Sequence, residues 1–142
     1  MYKELNADIS VSGQIEPSDF ADLKAAGFAV IVDGRPDAEI PPTHHSAAML
    51  AEAESAGLAF HYIPMTPGTI PSEDEANAFL QATSGGRVFA YCGGGPRVIV
   101  LASFAAAAAG KSVEGILSEA GALGMDLSSV RPLLIERGAA EA

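Results

Sequence analysis

Apolar residues cluster along the chain in short blocks that alternate with punctuated polar segments. Phe28, Ala29, Val30, Ile31 and Val32 form an unbroken apolar run of strand length. A run with no polar face fits a strand covered on both sides, as in a parallel sheet. Residues 58–63 and 87–91 predict further strands, and Ile9 with Val11 predict a shorter first strand ended by Ser12, Gly13 and Gln14. Between these runs the spacing becomes helical. Phe20, Leu23 and Ala26 share one face after the helix-start signal Glu16-Pro17-Ser18-Asp19, and Gly27 fits the C-terminal cap. A helix over 46–56 closes at Gly57. Ser72 and Glu75 form a capping box that starts a helix running to about residue 83. Further helices are predicted over 97–109, 112–122 and 127–136. Strand and helix thus alternate, which predicts an α/β fold with a mostly parallel four- or five-stranded sheet flanked by helices.

Length and composition narrow this picture. The chain has 142 residues, one domain's worth, read here as a single unit 1–142 with an ordered core of about 5–137 and a frayed tail from Gly138. Its formal net charge is −10, so bulk charge will not draw it to nucleic acid or to an anionic membrane. The longest near-unbroken apolar run, 98–109, has twelve residues with only Ser103 polar. A spanning helix needs roughly 20, so this run reads as a buried helix. One cysteine rules out an internal disulfide, and the first ten residues lack a signal-peptide pattern. A reducing cytoplasm is the expected setting. The alanine-rich C-terminal half leaves room for a dimer face.

Candidate chemistry concentrates in one loop. Cys92, Gly93, Gly94, Gly95, Pro96 and Arg97 lie between the strand ending at Tyr91 and the apolar helix. Open parallel sheets bind ligands at the carboxyl ends of their strands. A helix N-terminus there presents unpaired amides, and successive glycines can curl such amides into an anion nest. Amides, dipole and Arg97 together would stabilise a thiolate at Cys92. Arg97 also offers a planar fork to a tetrahedral anion.

The blocks VSGQIEPSDFADLKAAGFAVIVDGRPD, AGLAFHYIPMTPGTI and VFAYCGGGPR together resemble the phosphatase-like domain of the beta-lactamase hydrolase-like family, over about residues 5–136. The resemblance implies a fold like that of dual-specificity phosphatases, with Cys92 as nucleophile and Arg97 as anion clamp. It also implies either phosphatase or sulfur-transferase chemistry. Dual-specificity phosphatases place five residues between Cys and Arg, whereas here there are four, a loop length similar to that of rhodanese-type sulfurtransferases. Pro96 removes one amide donor from the cradle, and Val98 stands where a Ser is common in the family pattern. Tyr91 replaces the His of the phosphatase pattern, and residues 64–68 carry no acid to protonate a leaving group.

Asp33 to Asp37 follow a strand and should share the edge that carries Cys92. Arg35 would add positive potential. Asp37 would either donate a proton or pair with Arg35 to hold a proline-rich loop. His44 and His45 read as solvated loop residues, and His61 as a strand residue with a structural partner. No metal site and no cofactor is expected. Three functions remain open: a thiolate hydrolase of a small phosphoester or phosphoprotein, a sulfurtransferase carrying a persulfide on Cys92, and a non-catalytic anion- or partner-binding module.

Overall fold

The computed structural model describes residues 2–141. Five strands form one sheet: β1 (Tyr2–Glu4), β2 (Ile9–Ser12), β3 (Val30–Asp33), β4 (Ala59–Tyr62) and β5 (Val88–Tyr91), in the order β1-β2-β5-β3-β4. The pairings β2–β5, β5–β3 and β3–β4 are parallel, and β1 joins the edge antiparallel to β2. The short, exposed β1 has no apolar alternation and gave no signal in the sequence. It is held by the Tyr2 ring, packed edge-on against Phe28 and Phe89 at 5.3 and 5.4 Å.

Strands β2, β3 and β5 are buried along their whole length; β3 and β5 are nearly continuous apolar runs, whereas β2 alternates Ile9 and Val11 with the buried Ser10 and Ser12. The pleat divides β3 and β5 between two cores. Ile31, Phe89 and Tyr91 face α1 (Phe20–Ala25) and α2 (Ser46–Ser55), where Phe20, Leu23, Met49 and Ala53 pack. Val30, Val32, Val88, Ala90 and Cys92 face the opposite layer of α3 (Glu73–Ala82), α4 (Pro96–Ala108) and α5 (Val113–Ala122). Period two along β5 therefore sends Cys92 toward α4 and Tyr91 to the other side. The predicted capping box of α3 is present: Glu75 N–H donates to Ser72 Oγ at 3.1 Å, and Ser72 N–H to Glu75 Oε1 at 2.8 Å.

The C-terminal residues differ from expectation. After α6 (Arg131–Glu136), Ala139 is buried, Ala140 N–H donates to Lys111 O, and Val113 N–H donates to Ala140 O at 2.7 Å. The tail is pinned through residue 140 because its backbone completes the turn that opens α5. No helix among the described residues is long and apolar enough to cross a membrane.

Candidate active site

Three backbone segments meet around residues 92–97. Cys92 N–H donates to Ser12 O at 3.2 Å, Gly34 N–H donates to Tyr91 O at 2.7 Å, and Gln14 N–H donates to Gly93 O at 3.3 Å. The ends of β2 and β3 thereby clasp the end of β5 and fix where the glycine loop begins. Gly95 has φ +111°, a conformation that a side chain strains, and it turns the chain directly into α4 at Pro96. That turn aims the Gly95 amide back at the sulfur: Gly95 N–H donates to Cys92 Sγ at 3.1 Å. Cys92 has no exposed surface, so the sulfur lies at the floor of the loop.

The Arg97 guanidinium interacts electrostatically with this sulfur. Its main partner, however, is a residue that sequence reasoning did not single out. Glu39 takes the guanidinium in a fork, with Arg97 Nη1 at 2.9 Å from Oε2 and Nη2 at 3.0 Å from Oε1. Arg97 Nη1 also donates to Met65 O at 2.8 Å. The pair raises the Arg97 pKa, chiefly through the Glu39 hydrogen bond, and lowers that of Glu39, chiefly through Arg97. Gly93 is what admits this arrangement, since a Cβ there would lie 2.7 Å from Arg97 Nη2.

Arg35 lies at the same mouth, as its place after β3 predicts. Its Nε is 3.4 Å from Glu39 Oε1, and its Nη1 donates to Gln14 Oε1 at 3.3 Å. The expected pairing of Arg35 with Asp37 does not form. Asp37 instead accepts from Ser46 N–H at 2.7 Å and from Ser46 Oγ–H at 2.9 Å, which satisfies the first turn of α2. Its own amide donates to the Tyr62 hydroxyl at 2.9 Å. Glu39 reaches Arg97 across 58 positions of sequence, and no local signal marks it beyond its spacing of four from Arg35.

Beneath the loop Asp33 is 1% exposed and accepts the Arg35 N–H at 2.9 Å. Burial pushes its pKa up to about 6. The Tyr91 hydroxyl is buried without a hydrogen-bond partner, and burial, then the Asp33 charge, raises its pKa. His44 and His45 are less solvated than expected, whereas His61 is more solvated. His44 Nε2 lies 2.6 Å from Glu16 Oε2, and His45 Nε2 lies 2.9 Å from Ile40 O, both half-buried. His61 is exposed on the edge strand β4. Among the described residues no group of three or more His, Cys, Asp or Glu is placed to hold a metal ion.

The family model for the beta-lactamase hydrolase-like protein, phosphatase-like domain, matches residues 2–110. A beta-lactamase hydrolase-like protein of Agrobacterium fabrum is 36% identical over 99 residues, covering 68% of this chain and 23% of that relative. The chain thus spans about a quarter of the length of the curated relatives it matches. Among solved structures, a candidate phosphatase from Neisseria meningitidis aligns with a TM-score of 0.71 at 28% identity, covering 94% of this chain and 96% of that one. A candidate phosphatase from Shewanella putrefaciens aligns with a TM-score of 0.70 at 20% identity, covering 96% and 89%. The overall α/β architecture is that of a phosphatase-type fold. With most of its length matched by one family model, the chain belongs to the phosphatase-like domain family of the beta-lactamase hydrolase-like proteins.

Proposed function

We propose that the chain is a cysteine-thiolate hydrolase of phosphomonoesters. The observation that carries the reading is the Cys92 sulfur, which accepts the Gly95 amide at the N-terminus of α4, with Arg97 in the first turn of that helix. The thiolate attacks phosphorus. An S–P bond forms as the P–O ester bond breaks, and the electron pair leaves on the ester oxygen, which takes its proton from water. Water then attacks the phosphocysteine, the S–P bond breaks, and phosphate and thiolate are released. The amides of Gly93, Gly94 and Gly95 and the fork of Arg97 would hold the phosphoryl oxygens, with Arg35 adding charge at the mouth. Pro96 contributes shape but no donor. Because Glu39 occupies the Arg97 fork, an incoming phosphoryl group takes that fork only as Glu39 yields it. Asp37 serves the site by holding the start of α2. A free, buried thiol suits a reducing compartment such as the cytoplasm.

A second reading is sulfur transfer, with a persulfide carried on Cys92. It is favoured by the four-residue span between Cys92 and Arg97, whose tight turn brings the Gly95 amide to 3.1 Å from the sulfur. Phosphate release from an aryl phosphate, measured beside Cys92→Ser, tests the first reading. Turnover of thiosulfate with a cyanide acceptor, together with intact mass for one added sulfur, tests the second. If both assays are silent in the unsubstituted protein, neither reading stands, and an anion-binding module is left.

A further inference from the structure

A groove of about 500 Å³ opens beside the glycine loop, with Gly94, Pro96 and Arg97 in its lining. Its wall is built by Ile70, Val100, Met125, Leu127 and Val130. Ile70 is 40% exposed on this wall. Met125, Leu127 and Val130 come from the segment joining α5 to α6, beyond the residues that the family model matches. Although the chain carries 18 acidic residues, none among those described lines this groove. Arg97 is the one charged residue in the lining described and Thr69 the one uncharged polar side chain, so the remainder of the wall is mostly hydrocarbon. The volume lies within the range typical of small-molecule pockets, roughly 300–1,000 Å³.

We propose that this groove is the subsite for the organic part of the substrate, and that it selects a phosphomonoester with a compact, uncharged apolar body. The inference rests on the phosphohydrolase reading of Cys92 and adds to it the class of ester. Phosphate in the loop sets the ester oxygen beside Gly94 and Arg97, and the attached body then lies against Ile70, Val100 and Met125. The Thr69 hydroxyl already donates to Thr66 O, so the polar groups of a sugar or an acidic peptide in this place would find few partners on the wall. Leaving-group chemistry points the same way. Asp37 is committed to Ser46, and residues 64–68 carry no acid. An ester whose oxygen departs as a weak base, such as an aryl oxide, needs no such acid.

The test compares 1-naphthyl phosphate with glycerol 3-phosphate. Binding is measured by calorimetry to the full chain carrying Cys92→Ser, and phosphate release is measured with the unsubstituted protein. Naphthyl phosphate is expected to bind about tenfold tighter or more, the size of preference an apolar pocket gives. Adding Ile70→Ser or Met125→Ser, each at a position with solvent access, should remove most of that margin, read as the ratio of the two affinities. Equal affinity for the two esters overturns the proposal without recourse to any groove variant. A margin that survives both groove substitutions overturns it as well. A margin in binding without phosphate release from either ester keeps the subsite and removes the hydrolase reading. Equal release from both esters with no margin does the reverse.

Discussion

The loops after β3 and β5 begin alike and are built in opposite ways. Their strands are buried neighbours in register, Val30 opposite Val88 through Asp33 opposite Tyr91. Each leaves the carboxyl edge of the sheet at the same level. The loop after β5 is nearly bare of side chains from Gly93 to Gly95, and what it offers is backbone: an amide on the sulfur and a turn into α4. The loop after β3 is dense with charge at Asp33, Arg35, Asp37 and Glu39, each fixed by a hydrogen bond or ion pair. A cradle for an anion needs close backbone approach, which side chains would block. Control of the cation that completes it needs a carboxylate, which the glycine loop cannot carry. The two loops divide these tasks, and Glu39 on Arg97 is where they join.

Four substitutions can break or sharpen that division. The largest effect should come from Cys92→Ser, which removes the nucleophile and lowers phosphate release from an aryl phosphate by about a thousandfold or more. Asp33→Asn probes the charged loop alone. The folded-state pKa of Asp33 is raised from 3.8 to about 6, so its ionised form is disfavoured by the fold. Below about pH 4 the group is protonated in both folded and unfolded chains and nothing is lost. As pH rises from about 4 to 6 the native protein loses stability, and above that range the loss is constant, up to about 3 kcal/mol. Denaturant titrations should therefore show Asp33→Asn gaining on the unsubstituted protein across that window and then levelling. A constant difference from pH 4 to 8 would falsify the assignment.

Gly93→Ala tests the bare loop. Its Cβ would lie 2.7 Å from Arg97 Nη2, so the guanidinium must shift. A displaced clamp should lower kcat by about a hundredfold, the scale of losing one transition-state donor, with the fold intact by circular dichroism. The smallest effect is expected at Glu39→Gln, which frees the fork of Arg97. A partly exposed ion pair is worth up to about 1 kcal/mol, so inorganic phosphate should bind about fivefold tighter by calorimetry. Unchanged or weaker binding would mean that Glu39 holds Arg97 in place for the anion and does not compete with it.

The sequence by itself determined the features set by short-range rules. Continuous apolar runs marked β3 and β5 as strands buried on both faces, Ser72 with Glu75 marked the start of α3, and Cys92 to Arg97 marked the loop. These were legible because each depends on residues within one turn or one strand. The tertiary structure alone decided the rest. It chose Glu39 as the partner of Arg97 and Ser46 as the partner of Asp37, pinned the tail at Ala140, added β1 at the edge, and brought the 125–130 segment against the loop. The reason is the range of the interactions. An ion pair or a groove wall joins groups far apart in the chain, and nothing in the neighbourhood of either partner encodes the other until the sheet and its helices have packed.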